Sequence, residues 1–160
     1  MPVAASLSLF LPSDEATSRL GRWLAHALQP GDTLLLSGAI GAGKTHLARA
    51  LIRERLGHAE DVPSPTFTLV QTYDAGGVEI WHADLYRLSH PDQVVELGLE
   101  AAFDTAVCLI EWPERLGSLA PPGALHLHLL AEADGRRVTL SGAGRAALLD
   151  RLSREWGAHV

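Results

Sequence analysis

Residues 38–45, Gly38-Ala39-Ile40-Gly41-Ala42-Gly43-Lys44-Thr45, combine three glycines with a cation and a hydroxyl. Glycine lets the backbone turn tightly and aim successive N–H groups inward, which makes a concave anion site. The spacing fits G-x-x-x-x-G-K-[ST], the Walker A phosphate loop. In that chemistry Lys44 reaches the β- and γ-phosphates of a nucleotide, and the Thr45 hydroxyl binds the Mg²⁺ that bridges them. Lys44 is the only lysine in the chain, and the other twelve cationic side chains are arginines. A bias toward Arg that spares this one position fits a site that Arg cannot serve.

Further polar residues sit where chemistry is possible. His82, Asp84 and Tyr86 recur at every second position, so an extended chain puts them on one face. The His82/Asp84 pair can be metal ligands, a base with its orienter, or the polar side of a sheet. Ala106-Val107-Cys108-Leu109-Ile110 ends in Glu111. An apolar strand closing on an acid is the Walker B pattern, whose carboxylate holds Mg²⁺ or polarises the attacking water. Trp112 follows directly, in a position to touch a nucleotide or to cover core. His126 and His128 share one strand face but have no third ligand, which favours a packed or solvated face over a zinc site.

Elements must position these groups. Thr33–Leu36 is a short apolar run that predicts a buried strand, and Leu47, Ala48, Leu51 and Ile52 have helical spacing. Strand, glycine loop and helix is the context the phosphate loop requires, and the helix N-terminus adds positive potential. Upstream, Leu7, Leu9 and Leu11 alternate as a strand. Ser13 caps a helix to about Leu28, with Ala16, Leu20, Leu24 and Ala27 on one face. The helix after the loop stops at Gly57, and its Arg49, Arg53, Glu54 and Arg55 read as a solvated face. Pro63 and Pro65 flank Ser64 in a stiffened, extended loop. Phe67–Tyr73 and Val78–Leu85 then predict a hairpin about the turn 74–77. Pro91–Leu97 predicts a short helix closed by Gly98, and 99–104 a helical turn. Residues 112–115 read as a loop at the carboxyl edge of the sheet, where ligands bind in α/β folds. A second hairpin joins Ala124–Leu130 to Arg136–Leu140, and a helix from Gly144 to Trp156 closes the chain, burying Ala147, Leu148 and Leu152.

Composition sets bounds on partners. At 160 residues, 47% hydrophobic and 20% charged, the chain is expected to form one domain over 1–160. The lone Cys108 can make no intramolecular disulfide and reads as a small packed hydrophobe, which fits a reducing cytoplasm. No 18-residue apolar span and no basic leader in residues 1–12 are present, so a cytoplasmic chain without membrane contact is expected. Net charge is −6 and no basic run exceeds Arg136-Arg137, so strong unaided nucleic-acid binding is not expected. A GTP switch is excluded in its usual form: the chain has no asparagine for an Asn-Lys-x-Asp guanine reader. A small-molecule kinase is an alternative, although no Arg-rich lid stands out beyond Arg87 and Arg115. A nucleotide-dependent binding module is another.

Five features occur in order: Glu15-Ala16-Thr17, Gly41-Ala42-Gly43-Lys44-Thr45, Ser64-Pro65-Thr66-Phe67-Thr68-Leu69-Val70, His82-x-Asp84-x-Tyr86-Arg87, and Glu111-Trp112-Pro113-Glu114. With them the chain resembles the TsaE (YjeE) family, bacterial P-loop ATPases of the tRNA threonylcarbamoyladenosine pathway, from about Asp14 to Arg137. The resemblance implies an α/β P-loop NTPase-like domain with a mixed parallel and antiparallel sheet flanked by helices. It implies ATP held by Lys44 and the loop from Gly41, Ala42 and Gly43 through Thr45 and His46, with Thr45 and Glu111 as Mg²⁺ ligands. It gives Thr66 as a switch-like threonine, Asp84 as a second essential acid, and Trp112 beside the nucleotide. Asp14, Thr17 and Arg136 become outer nucleotide contacts. The implied partners are the TsaB and TsaD proteins, with tRNA reached through that complex and modified at adenosine 37 of ANN-decoding tRNAs. Ala39 departs from the family, which commonly has an acid there. The expected reaction is in-line attack of water on the γ-phosphate. Thr45 and Glu111 position Mg²⁺, Lys44 neutralises charge, and Asp84 or Thr66 orients water. Which of Asp84 and Glu111 binds metal stays open.

Overall fold

Thr33–Leu36 is apolar at almost every position because it becomes the middle of a sheet with both faces covered. A computed structural model describes residues 5–65, 68–90 and 92–157. The elements are β1 (Ala5–Leu11), α1 (Asp14–Ala27), β2 (Thr33–Gly38), α2 (Lys44–Leu56), β3 (Val70–Ala75), β4 (Val78–Asp84), α3 (Asp92–Leu97), α4 (Leu99–Thr105), β5 (Val107–Glu111), a 3₁₀ helix (Pro113–Leu119), β6 (Leu125–Glu132), β7 (Gly135–Gly142) and α5 (Ala146–Gly157). The strands form one mixed sheet in the order β1-β7-β6-β2-β5-β4-β3. β4, β5, β2 and β6 run parallel at the centre, while β3, β7 and β1 are antiparallel additions.

Two apolar layers sandwich the parallel centre. On one face Leu20 and Leu24 of α1, Leu47, Leu51 and Ile52 of α2 and Leu152 of α5 pack on Leu34, Leu36, Leu109, Leu127 and Leu140. On the other, Val94 of α3, Leu99 and Phe103 of α4 and Leu116 pack on Leu35, Ala83, Cys108 and Ile110. Local chemistry sets the ends of the elements. Ser13 Oγ accepts the N–H of Ala16 at 3.1 Å, capping α1. Gly76 and Gly77 both take positive φ, 65° and 91°, as a two-residue hairpin turn requires.

Several expectations need correction. The first hairpin strand starts at Val70 and runs to Ala75, so the turn shrinks to two glycines. Leu69 just before it has a left-handed φ of 69°, which breaks the extended run; Phe67 lies outside the described residues. The return strand stops at Asp84, so Tyr86 leaves the face it was expected to share with His82. Residues 99–105 form a full helix, and Trp112 is followed by a 3₁₀ helix rather than a loop. In α5 Leu152 is buried and Leu148 packs half-buried on the core as expected, but Ala147 is exposed and Leu149 is buried in addition. The arginines of α2 lie at the surface as expected, with Arg53 exposed, but they also clamp main-chain carbonyls. Arg49 donates to the Val62 carbonyl at 2.7 Å and Arg53 to that of Glu60 at 3.0 Å. Arg55 satisfies the Ala25 and Leu28 carbonyls at the end of α1 at 3.0 and 3.1 Å.

Candidate functional site

Register brings three strand ends level. Leu36 of β2 and Asp84 of β4 both pair with Glu111, the last residue of β5. The glycine loop leaves β2 at this edge and enters α2. That helix begins with no side-chain cap and no acid in its first turn, leaving its positive end facing the loop. Gly43 is required at the junction. Its φ is 108°, and a Cβ there would meet the Arg136 guanidinium at 2.9–3.0 Å.

Lys44 is 5% exposed. Its Nζ donates to the carbonyl of Gly38 at 2.5 Å and of Ala39 at 3.3 Å, and sits 3.8 Å from the centroid of the Trp112 ring. Burial lowers its pKa from the ordinary lysine value, opposed by the negative charge of Glu111, Asp84 and Glu114. Thr45 Oγ1 donates to Glu111 at 2.8 Å (Oε1) and 3.0 Å (Oε2). The same carboxylate accepts from His82 Nε2 at 2.7 Å, where both side chains are buried. Asp84 Oδ1 accepts the Tyr86 N–H at 3.0 Å, and the Tyr86 ring lies 4.9 Å from that of Trp112. Trp112 itself has a left-handed φ of 60°, a backbone strain of the kind that clusters at functional sites. On the other side of the loop Arg136 of β7 is held by Asp14 and Thr17, each at 2.9 Å.

These groups enclose a cavity of about 440 Å³ lined by Gly41, Gly43, Lys44, Thr45, His46, Asp84, Tyr86, Arg87, Glu111, Trp112 and Arg136, with Ile40 at its lip. Nine residues expected at the site therefore meet at one opening. Ala42 is buried beneath the loop instead. Asp14 and Thr17 stand behind Arg136, and the His46 ring turns away to Ser18 Oγ (2.7 Å) and the Asp14 carbonyl (3.1 Å). Thr66 lies outside the described residues. His82 and Tyr86 gain contacts that spacing alone did not assign. The signal for His82 was its place two residues before Asp84, on the face that continues to Glu111. A larger groove of about 860 Å³ between α1, α2 and residues 57–62 includes, of the glycine loop and the start of its helix, only His46, and neither Lys44, Thr45 nor Glu111 lines it. We therefore assign the site to the smaller cavity.

No group of three or more His, Cys, Asp or Glu suited to a metal occurs among the described residues. The Thr45 hydroxyl and the Glu111 carboxylate offer two oxygen ligands. That donor set fits Mg²⁺, which takes few protein ligands and completes its shell with phosphates and water.

A glycine loop opening a helix, with acids at the ends of the neighbouring parallel strands, defines a P-loop nucleoside-triphosphatase type of fold. The family model described as "Threonylcarbamoyl adenosine biosynthesis protein TsaE" matches residues 11–139, and the chain belongs to that family. It is 37% identical over 146 residues to the "tRNA threonylcarbamoyladenosine biosynthesis protein TsaE" of Rickettsia felis, covering 90% of this chain and 85% of that one. With the protein of the same name from Haemophilus influenzae it shares 35% over 141 residues, covering 84% and 89%. The crystal structure of Bacillus subtilis YdiB superposes with a TM-score of 0.78 at 28% identity, covering 97% of this chain and 99% of that one. No helix among the described residues is long and apolar enough to cross a membrane.

Proposed function

We propose that this protein binds ATP with Mg²⁺, hydrolyses it slowly, and serves threonylcarbamoylation of adenosine 37 in ANN-decoding tRNAs together with TsaB and TsaD. One observation carries the ATPase half: a Walker A hydroxyl, Thr45, bonded at 2.8 Å to a strand-end acid 66 residues away, Glu111. Membership of the TsaE family supports the tRNA half, and the names of the Rickettsia felis and Haemophilus influenzae relatives agree with it. The net charge of −6 suits a subunit that reaches tRNA through its partners, in the cytoplasm, as one domain over 1–160.

The amides from Gly41 through His46 cradle phosphates, and Lys44 exchanges its carbonyl bonds for the β- and γ-phosphate oxygens. Thr45 and Glu111 would hold Mg²⁺, which would supply neutralisation of phosphate charge. Asp84, at the level of Glu111 on the next strand, or Thr66 orients water. Trp112 covers the Lys44 side of the nucleotide. Arg136, anchored by Asp14 and Thr17, covers the Gly43 side.

The test is ADP production from Mg-ATP by the purified protein, first alone and then with the TsaB–TsaD pair. Slow turnover that rises with the pair is expected. Equal rates in both mixtures would remove the partner-gated role, and ATP that stays bound and intact in both would leave a nucleotide-dependent binding module.

A further inference from the structure

His82 is 0% exposed, and none of the tasks above uses it. It lies on β4 opposite Gln71 of β3 and Leu109 of β5, two residues before Asp84. Its Nε2 is 2.7 Å from Glu111 Oε2. A carboxylate at this position only accepts, so Nε2 carries the proton and donates. The other ring nitrogen, Nδ1, is buried with no hydrogen-bond partner among the described residues. A leucine in this place would pack without stranding a polar atom, so packing does not account for a histidine. The bond to Glu111 does.

We propose that His82 is a positioning residue for Glu111. It holds Oε2 at 2.7 Å, and with that oxygen fixed the carboxylate presents both oxygens to Thr45 Oγ1, Oε1 at 2.8 Å and Oε2 at 3.0 Å, at the start of α2. The carboxylate is then oriented before the nucleotide and Mg²⁺ arrive, as groups behind a metal ligand commonly arrange. This inference rests on the nucleotide-binding reading of the site.

The test is calorimetric titration of ADP into the protein with and without MgCl₂, paired with the Mg²⁺ concentration giving half-maximal ATP turnover. In His82→Leu the Mg²⁺-dependent gain in ADP affinity falls by about 10–100-fold while affinity without Mg²⁺ is unchanged, and the half-maximal Mg²⁺ concentration rises in step. His82→Gln, whose amide nitrogen reaches the position of Nε2, restores most of the gain. His82→Asn is polar but too short to reach Glu111, and behaves like the leucine variant; it serves where His82→Leu does not fold. Wild-type Mg²⁺ dependence in His82→Leu or His82→Asn overturns the proposal. So does equal weakening of ADP binding with and without Mg²⁺, or failure of His82→Gln to rescue. A wild-type protein whose ADP affinity ignores Mg²⁺ overturns the site reading as well, which separates the two failures.

Discussion

Strands β4 and β6 both carry histidine flanked by apolar residues, His82 on β4 and His126 and His128 on β6, and these side chains have opposite fates. His82 on β4 is sealed in the molecule against Glu111, whereas His126 and His128 on β6 are exposed, with His128 bonded to Ser37 at 2.9 Å. β4 and β6 are the two outer strands of the parallel centre. β4 pairs with β5 and has helices over both faces, so its polar side chains must find partners inside. On β6, Leu125, Leu127 and Leu129 face the helices at 0% exposure, while Leu130 is 56% exposed on the uncovered side. Alternation tells which side chains share a face, and the crossover helices decide whether that face is dry. A buried polar group on the dry strand is where function is to be sought.

The contrast can be broken by substitution. The largest effect is expected at the covered end: Lys44→Ala lowers ATP turnover by about 10²–10³-fold, the usual loss when a transition-state charge partner is removed, with an unchanged circular dichroism spectrum. Normal turnover in that variant would contradict the site. Next, the two faces of β6 should separate in stability. Leu129→Ala is expected to cost ~2–5 kcal/mol in urea unfolding, and Leu130→Ala less than ~0.5 kcal/mol. Equal losses would mean that the exposed face is covered in solution. A smaller contrast compares the histidines. His82→Leu changes the Mg²⁺ requirement of turnover by about tenfold or more, and His128→Leu leaves it within a factor of about two. A shift in His128→Leu as large as that in His82→Leu would erase the distinction between the strands. The smallest effect is chemical. Burial pushes the Cys108 thiol up to about 12, so at pH 8 it is protonated as well as inaccessible. Native protein should stay unlabelled by a thiol reagent that reacts fully in urea, and rapid native labelling would show that β5 opens.

The parts of this molecule legible in its sequence are those whose causes are local. The strand, glycine loop and helix over 33–52 are written in consecutive residues, and so is the Gly76-Gly77 turn. Glu111 was legible as the end of an apolar strand. Its bond to Thr45 depends on β5 pairing with β2, a register that no single segment encodes. The clamps of Arg49, Arg53 and Arg55 were not legible because their acceptors are main-chain carbonyls, which leave no residue signature. The strand start at Val70 is not legible because the run from Phe67 to Tyr73 looks continuous in sequence, while the backbone bends at Leu69. The burial of His82 was hidden because a histidine on a strand face reads the same whether the covering helix exists or not.

The central claim is that a nucleotide binds where β2, β4 and β5 end together, and amide chemical-shift mapping tests it most directly. Mg-ADP would be titrated into uniformly ¹⁵N-labelled protein and followed in ¹H–¹⁵N spectra. We predict that the largest shifts fall on residues 38–46, 84–87, 111–112 and 136, with those of His126, His128 and Leu130 unmoved. Shifts centred instead on the groove of α1, α2 and residues 57–62, or on the open face of β6, would contradict the account.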